Sequence, residues 1–449
     1  MAILTIPTKT KSDLSRLFLG ILQDQTDPYQ QDETLSLGSF GQEGYFGVKK
    51  DGADLVRTAS KLILKDQKLN RCVSEDCVHS WITDTIMKLI NDGHTQNLNL
   101  YIDSMYDELL EKVELLKIYV PLLGINAQTH PFRLGNIVIK KVSEPDLAGF
   151  ESCFELAAQE NCSSINHEED PIELHRHWVA QAISNQTCAT FLVKAEHTKA
   201  LERAIYETRQ AIHILDLLLG LIDCDSKETK IGIRGDFFDD TRIIPGLSLR
   251  TPGYSITQDA LGPSTDLFIN PATIELFNKS GLLKASQLLK KRTLSELEVV
   301  LINAMSWFSI AQKIHDKETA FLKLYSTIEM LKPQEGISFH RFVSIVLAND
   351  KETRESINSF SEKVLQKLRG AVSHKGLNKV FDADLALINR MALAIILIFL
   401  GQTENIQTSI GIEKWLEELS EPETCDQDYL DHWPIRDVVH SIESLMSSS

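Results

Sequence analysis

The sequence predicts a mixed fold, in which an α/β and helical N-terminal region precedes a C-terminal all-α four-helix bundle. Apolar residues recur at helical spacing in the first part of the chain, two β-rich runs follow, and from about residue 286 the pattern is almost purely helical. The predicted organisation is a mainly helical region at 1–130, a mixed α/β region at 131–285, the bundle at 286–405 and a helical tail at 406–449.

Three helices are predicted in the N-terminal region. The first, SDLSRLFLGILQD, begins at the N-cap residue Ser12, and the second, DCVHSWITDTIMKLINDG, ends at Gly93. The third, DSMYDELLEKVELLKIYVPLLG, is expected to run until Pro121, because proline cannot continue a helix. The segment GSFGQEGYFGVKKDG is expected to be a glycine-spaced loop or a weak hairpin. It lacks a phosphate-binding glycine spacing followed by a helix, so we assign it no nucleotide role.

The middle region combines strands with helices. The segments FRLGNIVIKKV and TCATFLVKAE predict two strands because they are rich in β-branched residues. Two helices, SEPDLAGFESCFELAAQ and DPIELHRHWVAQAISN, are expected between them, and the long helix HTKALERAIYETRQAIHILDLLLGLI after them. The following stretch, rich in Gly, Pro and Asp, predicts turns and short strands.

Four segments predict the bundle: TLSELEVVLINAMSWFSIAQKIHD, KETAFLKLYSTIEMLK, KETRESINSFSEKVLQKLRGAVSH and DADLALINRMALAIILIFLG. Helices with such connections can bury their apolar faces against one another. The last segment contains the longest apolar run, residues 391–401. Because a membrane span needs about 20 apolar residues, we expect a buried helix and no membrane partner.

Composition favours a cytoplasmic protein. The chain has 449 residues, 43% of them apolar, which is enough for two or three packed domains. Its N-terminus lacks the basic stretch and apolar run of a secretory signal, and its seven cysteines, without paired spacing, argue against a disulfide framework. A net charge of -17 argues against general coating of nucleic acid, so any RNA contact has to be local.

Arg369 and His374 stand five positions apart near the end of the third bundle segment. The predicted core stripe of this helix consists of Ile357, Phe360, Val364, Leu368 and Ala371. In an unbroken helix the pair would flank this stripe about 140° apart and could not share one phosphate. Either Gly370 and Gly376 let the helix loosen or end before His374, or a second subunit supplies the missing partner across a two-fold axis.

A basic patch surrounds this pair in an otherwise acidic chain. It contains Lys363, Lys367, Lys375 and Lys379 in addition to Arg369. Such a cluster can hold a phosphate backbone, so the four lysines are candidate RNA-binding residues. A helix C-terminus favours protonated histidine, and His374 could therefore alternate between base and acid near neutral pH. The alternative is purely structural, because basic residues are ordinary in the last turn of a helix.

The combination of FLKLYSTIEMLK on one helix and KLRGAVSHKGL at the end of the next resembles the HEPN superfamily, and among its branches the Apea-like HEPN proteins of bacteria. Their signature is an arginine, four to six residues, and a histidine, and Arg369 and His374 match it with four residues between them. The segment FRLGNIVIKKVSEPDLAGF resembles a segment upstream of the bundle in such proteins. The resemblance therefore spans about residues 132–401.

The resemblance implies a metal-independent endoribonuclease without a cofactor, which acts on RNA as a homodimer, often in phage defence or as a toxin. His374 would activate the ribose 2′-hydroxyl or protonate the leaving oxygen, and Arg369 would hold the scissile phosphate. Residues 1–285 would sense a trigger or bind a regulatory partner. The residue after the arginine is typically polar in active members but is Gly370 here, which leaves a non-catalytic module that binds RNA or a partner protein as the alternative.

Glu329 is the third candidate catalytic residue. It lies with Tyr325 beside the apolar stripe of its predicted helix, so it could orient Arg369 or His374. The alternative is a salt bridge with a neighbouring lysine. Arg390, embedded in apolar sequence, is expected to pair with a carboxylate.

Potential metal ligands cluster in the middle region, at His167, Glu168, Glu169, Asp170, Glu173, His175 and His177. On a helix His175 and His177 would point about 200° apart, and the acids are typical of an N-terminal helical turn. We therefore predict no metal site. A metal-dependent hydrolase that uses this segment is the third function class.

Overall fold

The computed structural model shows a mainly helical chain with an antiparallel sheet in its middle and helices at its C-terminus, which confirms the predicted mixed class. It describes residues 8–23, 34–35, 48–91, 98–127, 131–143, 187–222, 231–233, 247–248, 267–333, 336–348, 350–375, 380–420, 440 and 442. The chain divides into two compact units: the first is Met1–Ile118, Leu192–Ala204 and Ser248–Arg250, and the second is Tyr119–Phe191, Ile205–Leu247 and Thr251–Ser449.

Helices dominate the first unit. They are α1 (Thr8–Gln23), α2 (Lys50–Ile63), α3 (Gln67–Cys72), α4 (Glu75–Asn91) and α5 (Leu98–Glu111), beside the short strands β1 (Thr34–Leu35) and β2 (Val48–Lys49). Two of them, α1 and α4, confirm predicted helices, although α1 begins before Ser12. Their side chains share one apolar core, in which Phe18 packs edge-on against Trp81 with ring centroids 6.0 Å apart.

The third predicted helix is wrong in its second half. Its helical part ends with α5, and β3 (Glu114–Leu123) follows as a strand. Ile118, Tyr119 and Val120 are all buried, and β-branched and aromatic residues fit a pleated sheet better than a helix. A short apolar run is compatible with either structure, so periodicity alone could not separate them.

The central sheet forms around β3. The other strands are β4 (Ile125–Asn126), β5 (Phe132–Leu134), β6 (Ile137–Lys141), β7 (Thr187–Ala195), β8 (Gly232–Ile233), β9 (Leu247–Ser248) and β10 (Leu267–Phe268). The sheet order is β5-β6-β7-β3-β8, with β9 on β3, whereas β4 and β10 pair separately and in parallel. The two predicted strands are therefore confirmed by β5, β6 and β7. The two helices predicted between them lie outside the described residues.

The prediction of a long helix is also confirmed, by α6 (His197–Ile222). The C-terminal helices are α7 (Pro271–Lys279), α8 (Leu282–Leu288), α9 (Glu296–Lys313), α10 (Lys317–Leu331), α11 (Phe339–Leu347), α12 (Lys351–Phe360), α13 (Lys367–Lys375), α14 (Asp382–Gln402) and α15 (Ser409–Ser420). A π-helical turn, Ser361–Gln366, joins α12 to α13. Four continuous helices were predicted for the bundle, but the third is interrupted by this turn, and α11 is an additional helix.

The core of the second unit is built around α14. This helix contacts α8, α9, α10 and α11, and its residues from Met391 to Leu400 are all buried. By length and composition alone α14 could cross a membrane, but 78% of its most apolar stretch is buried inside the protein. This burial agrees with the prediction of a core helix.

A buried polar network connects α6 with α9. Asp216 is completely buried, accepts a hydrogen bond from Ser309, and has the Lys313 Nζ 3.2 Å from its Oδ2. Burial raises the pKa of Asp216, and the positive charge of Lys313 offsets part of that effect. His213 lies one turn earlier on α6, where burial, assisted by the positive charges of Lys313 and Arg209, lowers its pKa from 6.5 to about 4.

We expect His213 to make the protein less stable in mild acid. Because its pKa is lower in the folded state than in the unfolded state, its contribution to stability is present above pH 6.5 and is lost as the pH falls towards 4. This loss amounts to at most about 3 kcal/mol. In His213→Gln the urea midpoint should depend less steeply on pH across this interval than in the wild type. Parallel curves for the two proteins would contradict the assignment.

Candidate functional site

Arg369 lies on α13 above an aromatic ring of α10. The side chain is half-buried, and its Cζ is 5.7 Å from the centroid of the Tyr325 ring, which is a cation–π distance. Tyr325 in turn stacks on Phe339 of α11, with centroids 4.0 Å apart and planes inclined by 11°. Within the described parts of the chain Arg369 has no carboxylate partner. Its N–H groups are therefore available to an anion.

Glu329 lies one helical turn after Tyr325 on α10 and is half-buried. Burial, assisted by the negative charge of Glu329 and opposed by the positive charge of Arg369, raises the pKa of Tyr325 to about 12. The two candidate residues therefore act electrostatically on the same phenol group. Of the two, Arg369 contacts the Tyr325 ring directly, and Glu329 lies one turn further along α10.

The alternative role of Glu329, a salt bridge with a lysine, is not found among the residues that the structure describes. The Nζ of Lys332, the nearest lysine in sequence, donates instead to the carbonyl oxygens of Pro333 at 2.8 Å and Ile337 at 3.0 Å. The Glu329 carboxylate therefore has no cation within ion-pair distance in this part of the chain. It remains able to accept a hydrogen bond.

The predicted core stripe of the third bundle segment is out of register. Only Ile357 of the five predicted residues is fully buried, and Ser361 and Leu365 take the core positions that we assigned to Phe360 and Val364. The prediction assumed a continuous α-helix, whereas the π-helical turn forms i→i+5 hydrogen bonds and accommodates an extra residue. The side of α13 on which Arg369 lies could therefore not be derived from the apolar stripe of α12.

His374 lies in the helical part of α13, which continues to Lys375. The helix does not end before His374, so that way of bringing the pair together is wrong. The regular helix between Arg369 and His374 keeps the two positions about 140° apart in projection. The side chain of His374 is outside the described part of the structure, and the contribution of a second subunit stays a prediction.

The structure describes the side chains of two of the four candidate RNA-binding lysines. Lys363 and Lys367 are exposed, and neither has an ion-pair partner among the described residues. Lys375 is the last residue of α13, but its side chain is outside the described part. Lys379 lies outside the described residues altogether. The two described lysines are free to attract an anionic strand.

The proposed alternative metal segment, residues 167–177, lies outside the described residues. Within the ranges that are described, His, Cys, Asp and Glu side chains form no group of three that could hold a metal ion. Arg390 is half-buried on α14, and its predicted pairing with a carboxylate stays a prediction.

Sequence reasoning missed the aromatic support of the site. Tyr325 was recognised only as a neighbour of Glu329, and Phe339 belongs to α11, which was not predicted. The signal was present in the sequence, because the segment from Phe342 to Ala348 is apolar except for Ser344 and follows Pro333. An apolar segment of this length between two polar ones is a candidate for a short buried helix.

Comparisons of the chain with protein-family models, with curated proteins and with solved structures find no match. The function of the site is therefore inferred from its residues and from the family resemblance of the sequence around them.

Proposed function

We propose that the chain is a HEPN-type endoribonuclease that needs neither metal nor cofactor, acts as a cytoplasmic homodimer and serves as an effector in phage defence or as a toxin. The observation that carries this proposal is the Arg369 guanidinium, half-buried over Tyr325 and without a carboxylate partner among the described residues. A guanidinium with unused donors is suited to bind phosphate and to stabilise the charge that develops on it.

In this mechanism His374 takes the proton of the ribose 2′-hydroxyl, and the oxygen then attacks the adjacent phosphorus. The bond from phosphorus to the 5′-oxygen breaks, the leaving oxygen takes a proton from water, and a 2′,3′-cyclic phosphate remains, while the proton on His374 returns to the solvent. Arg369 binds the phosphate oxygens during attack. Glu329 is a positioning residue that orients Arg369 or His374, and the exposed Lys363 and Lys367 bind the strand on either side.

A pair of matched substrates tests this chemistry. RNA should be cleaved to a 2′,3′-cyclic phosphate in the presence of EDTA, whereas the same oligonucleotide with one 2′-deoxy sugar at the scissile position should resist cleavage at that bond. The reason is that the nucleophile is the 2′-hydroxyl itself, whereas a metal-activated water would not need it. Cleavage of the deoxy substrate, or full inhibition by EDTA, would favour the metal-dependent alternative at residues 167–177.

The second candidate function is a non-catalytic HEPN module that binds RNA or a partner protein, and Gly370 favours it. This glycine replaces the polar residue of active members, and a Cβ atom at its position would meet no heavy atom within 4 Å. Packing therefore does not require glycine there. The trigger or regulatory partner expected for residues 1–285 belongs to both candidate functions.

Substitutions of Gly370 distinguish the two candidates. We expect Gly370→Ser and Gly370→Ala both to fold, and the alanine variant to gain about 0.5–1 kcal/mol because glycine is unfavourable inside a helix. If the wild type is a nuclease, its cleavage rate should be measurable and the serine variant should be at least as active. An inactive wild type with an active serine variant would instead identify a module that lost catalysis at this position.

A further inference from the structure

An open cleft of about 370 Å³ lies where α11, α12 and the end of α15 come together in the second unit. None of the residues that carry the proposed function lines it. Its volume falls in the range of small-ligand sites. The polar lining residues that matter for its chemistry are Ser338, His340, Arg341, Arg354, Glu355 and Asn358.

Three lining side chains have unused hydrogen-bonding capacity. Arg341 is exposed and has no carboxylate partner within the described ranges, and the side-chain amide of the half-buried Asn358 makes no hydrogen bond within them. The Nδ1 atom of His340 is buried and has no hydrogen-bond partner there, while its Nε2 lies 2.9 Å from the Ser338 hydroxyl. Because Nδ1 is not accessible to solvent, it does not contact a ligand in the cleft.

The walls of the cleft are fixed by Arg354. Its Nε donates to the carbonyl oxygen of Ala348 at 2.9 Å, and its Nη2 donates to that of Leu419 at 2.7 Å. These bonds tie α12 to the end of α11 and to the end of α15. Arg354 therefore positions the lining and adds its positive charge to it.

The charge of the lining is positive in a chain that is strongly acidic. Of the lining residues, Arg341 and Arg354 are cationic, and Glu355 is the acid. The Glu355 carboxylate lies 3.9 Å from the Nζ of Lys351, so a third cation lies beside the lining. Because cations outnumber the acid, this concave surface attracts anions.

We propose that this cleft binds a terminal phosphate group, carried either by a free mononucleotide or by the end of an oligonucleotide. Arg341 is the charged donor, which can bind two phosphate oxygens at once, and the side-chain amide of Asn358 is the neutral donor. This inference does not depend on the proposed nuclease activity, because it uses a different set of residues.

Calorimetric titrations of the full-length protein test the proposal. The probes are inorganic phosphate, AMP and a short DNA oligonucleotide with a 5′-phosphate or a 5′-hydroxyl, since DNA lacks the 2′-hydroxyl that the proposed nuclease needs. The variant is Arg341→Gln, and the matched control is Arg16→Gln, which removes the same charge from a side chain that is 82% exposed in the first unit. Glu355→Gln removes the negative charge of the lining.

We expect a phosphorylated probe to bind the wild type and Arg16→Gln equally, Arg341→Gln at least about tenfold more weakly, and Glu355→Gln more tightly. Binding of AMP but not of the phosphorylated oligonucleotide would identify a free nucleotide as the ligand, and equal binding of both would identify the terminal phosphate itself. The proposal is overturned if no phosphorylated probe binds, if Arg341→Gln binds as the wild type does, or if the 5′-hydroxyl oligonucleotide binds as well as its phosphorylated form.

Discussion

Replacing Arg369 with alanine should lower the rate of RNA cleavage by at least about a hundredfold, because the variant loses the donor that stabilises charge on the phosphate. The stability of the fold should change by about 1 kcal/mol or less, which is the typical size of a cation–π contact such as that with Tyr325. The measurements are the initial cleavage rate and the denaturant midpoint. Arg57→Ala is the control, because it removes a positive charge from a side chain that is 64% exposed.

Mixing two inactive variants tests whether the site is shared between subunits. If Arg369 of one subunit works with His374 of the other, a mixture of Arg369→Ala and His374→Ala proteins re-forms one intact site in each heterodimer. Random exchange of subunits should then restore about a quarter of the wild-type activity. A mixture that stays inactive after exchange would show that each site belongs to a single subunit. Full activity of Arg369→Ala by itself would exclude any role of this residue in catalysis.

Phe399→Ala should cause the largest loss of stability among single substitutions in the second unit, about 3–5 kcal/mol. Phe399 is completely buried in α14. Its ring lies 6.1 Å from that of Phe342 on α11 and 5.3 Å from that of Trp415 on α15, so one side chain connects three helices. The expected result is a marked decrease in the denaturant midpoint of the second unit, because the cavity cannot be filled without moving α11 or α15.

The matched control is Phe381→Ala, which removes the same side chain at the start of the same helix. Phe381 is 72% exposed, so its replacement should change the free energy of unfolding by about 0.5 kcal/mol or less. Similar losses in the two variants would mean that α14 is not the centre of the core.

The sequence predicted best those parts of the fold in which apolar residues recur at one regular spacing. The helices α6, α9, α10 and α14 each carry an uninterrupted apolar pattern, and a pattern of this length leaves few alternatives. The segment that became β3 was mistaken for helix because its apolar residues are nearly continuous. What decides its structure is pairing with strands that are distant in sequence, and no local pattern contains that information.

The candidate site was predictable as a set of residue types but not as a geometry. Arg369, His374 and Glu329 were found from their spacing and resemblance, whereas the Tyr325 ring beneath the guanidinium depends on how α10 packs against α13. The cleft beside α11 was not anticipated at all. Its lining comes from three helices, and His340 and Arg341 lie on α11, which was not predicted.

The π-helical turn at Ser361–Gln366 has a consequence for how the length of this chain can vary. Because the wide turn contains one residue more than an α-helix needs to cover the same distance, the loss of a single residue there would let a continuous α-helix replace it with little rotation of α13. The same deletion inside α12 would rotate everything after it by about 100° and carry Arg369 away from Tyr325. Single-residue deletions should therefore be tolerated in the turn and excluded on either side of it.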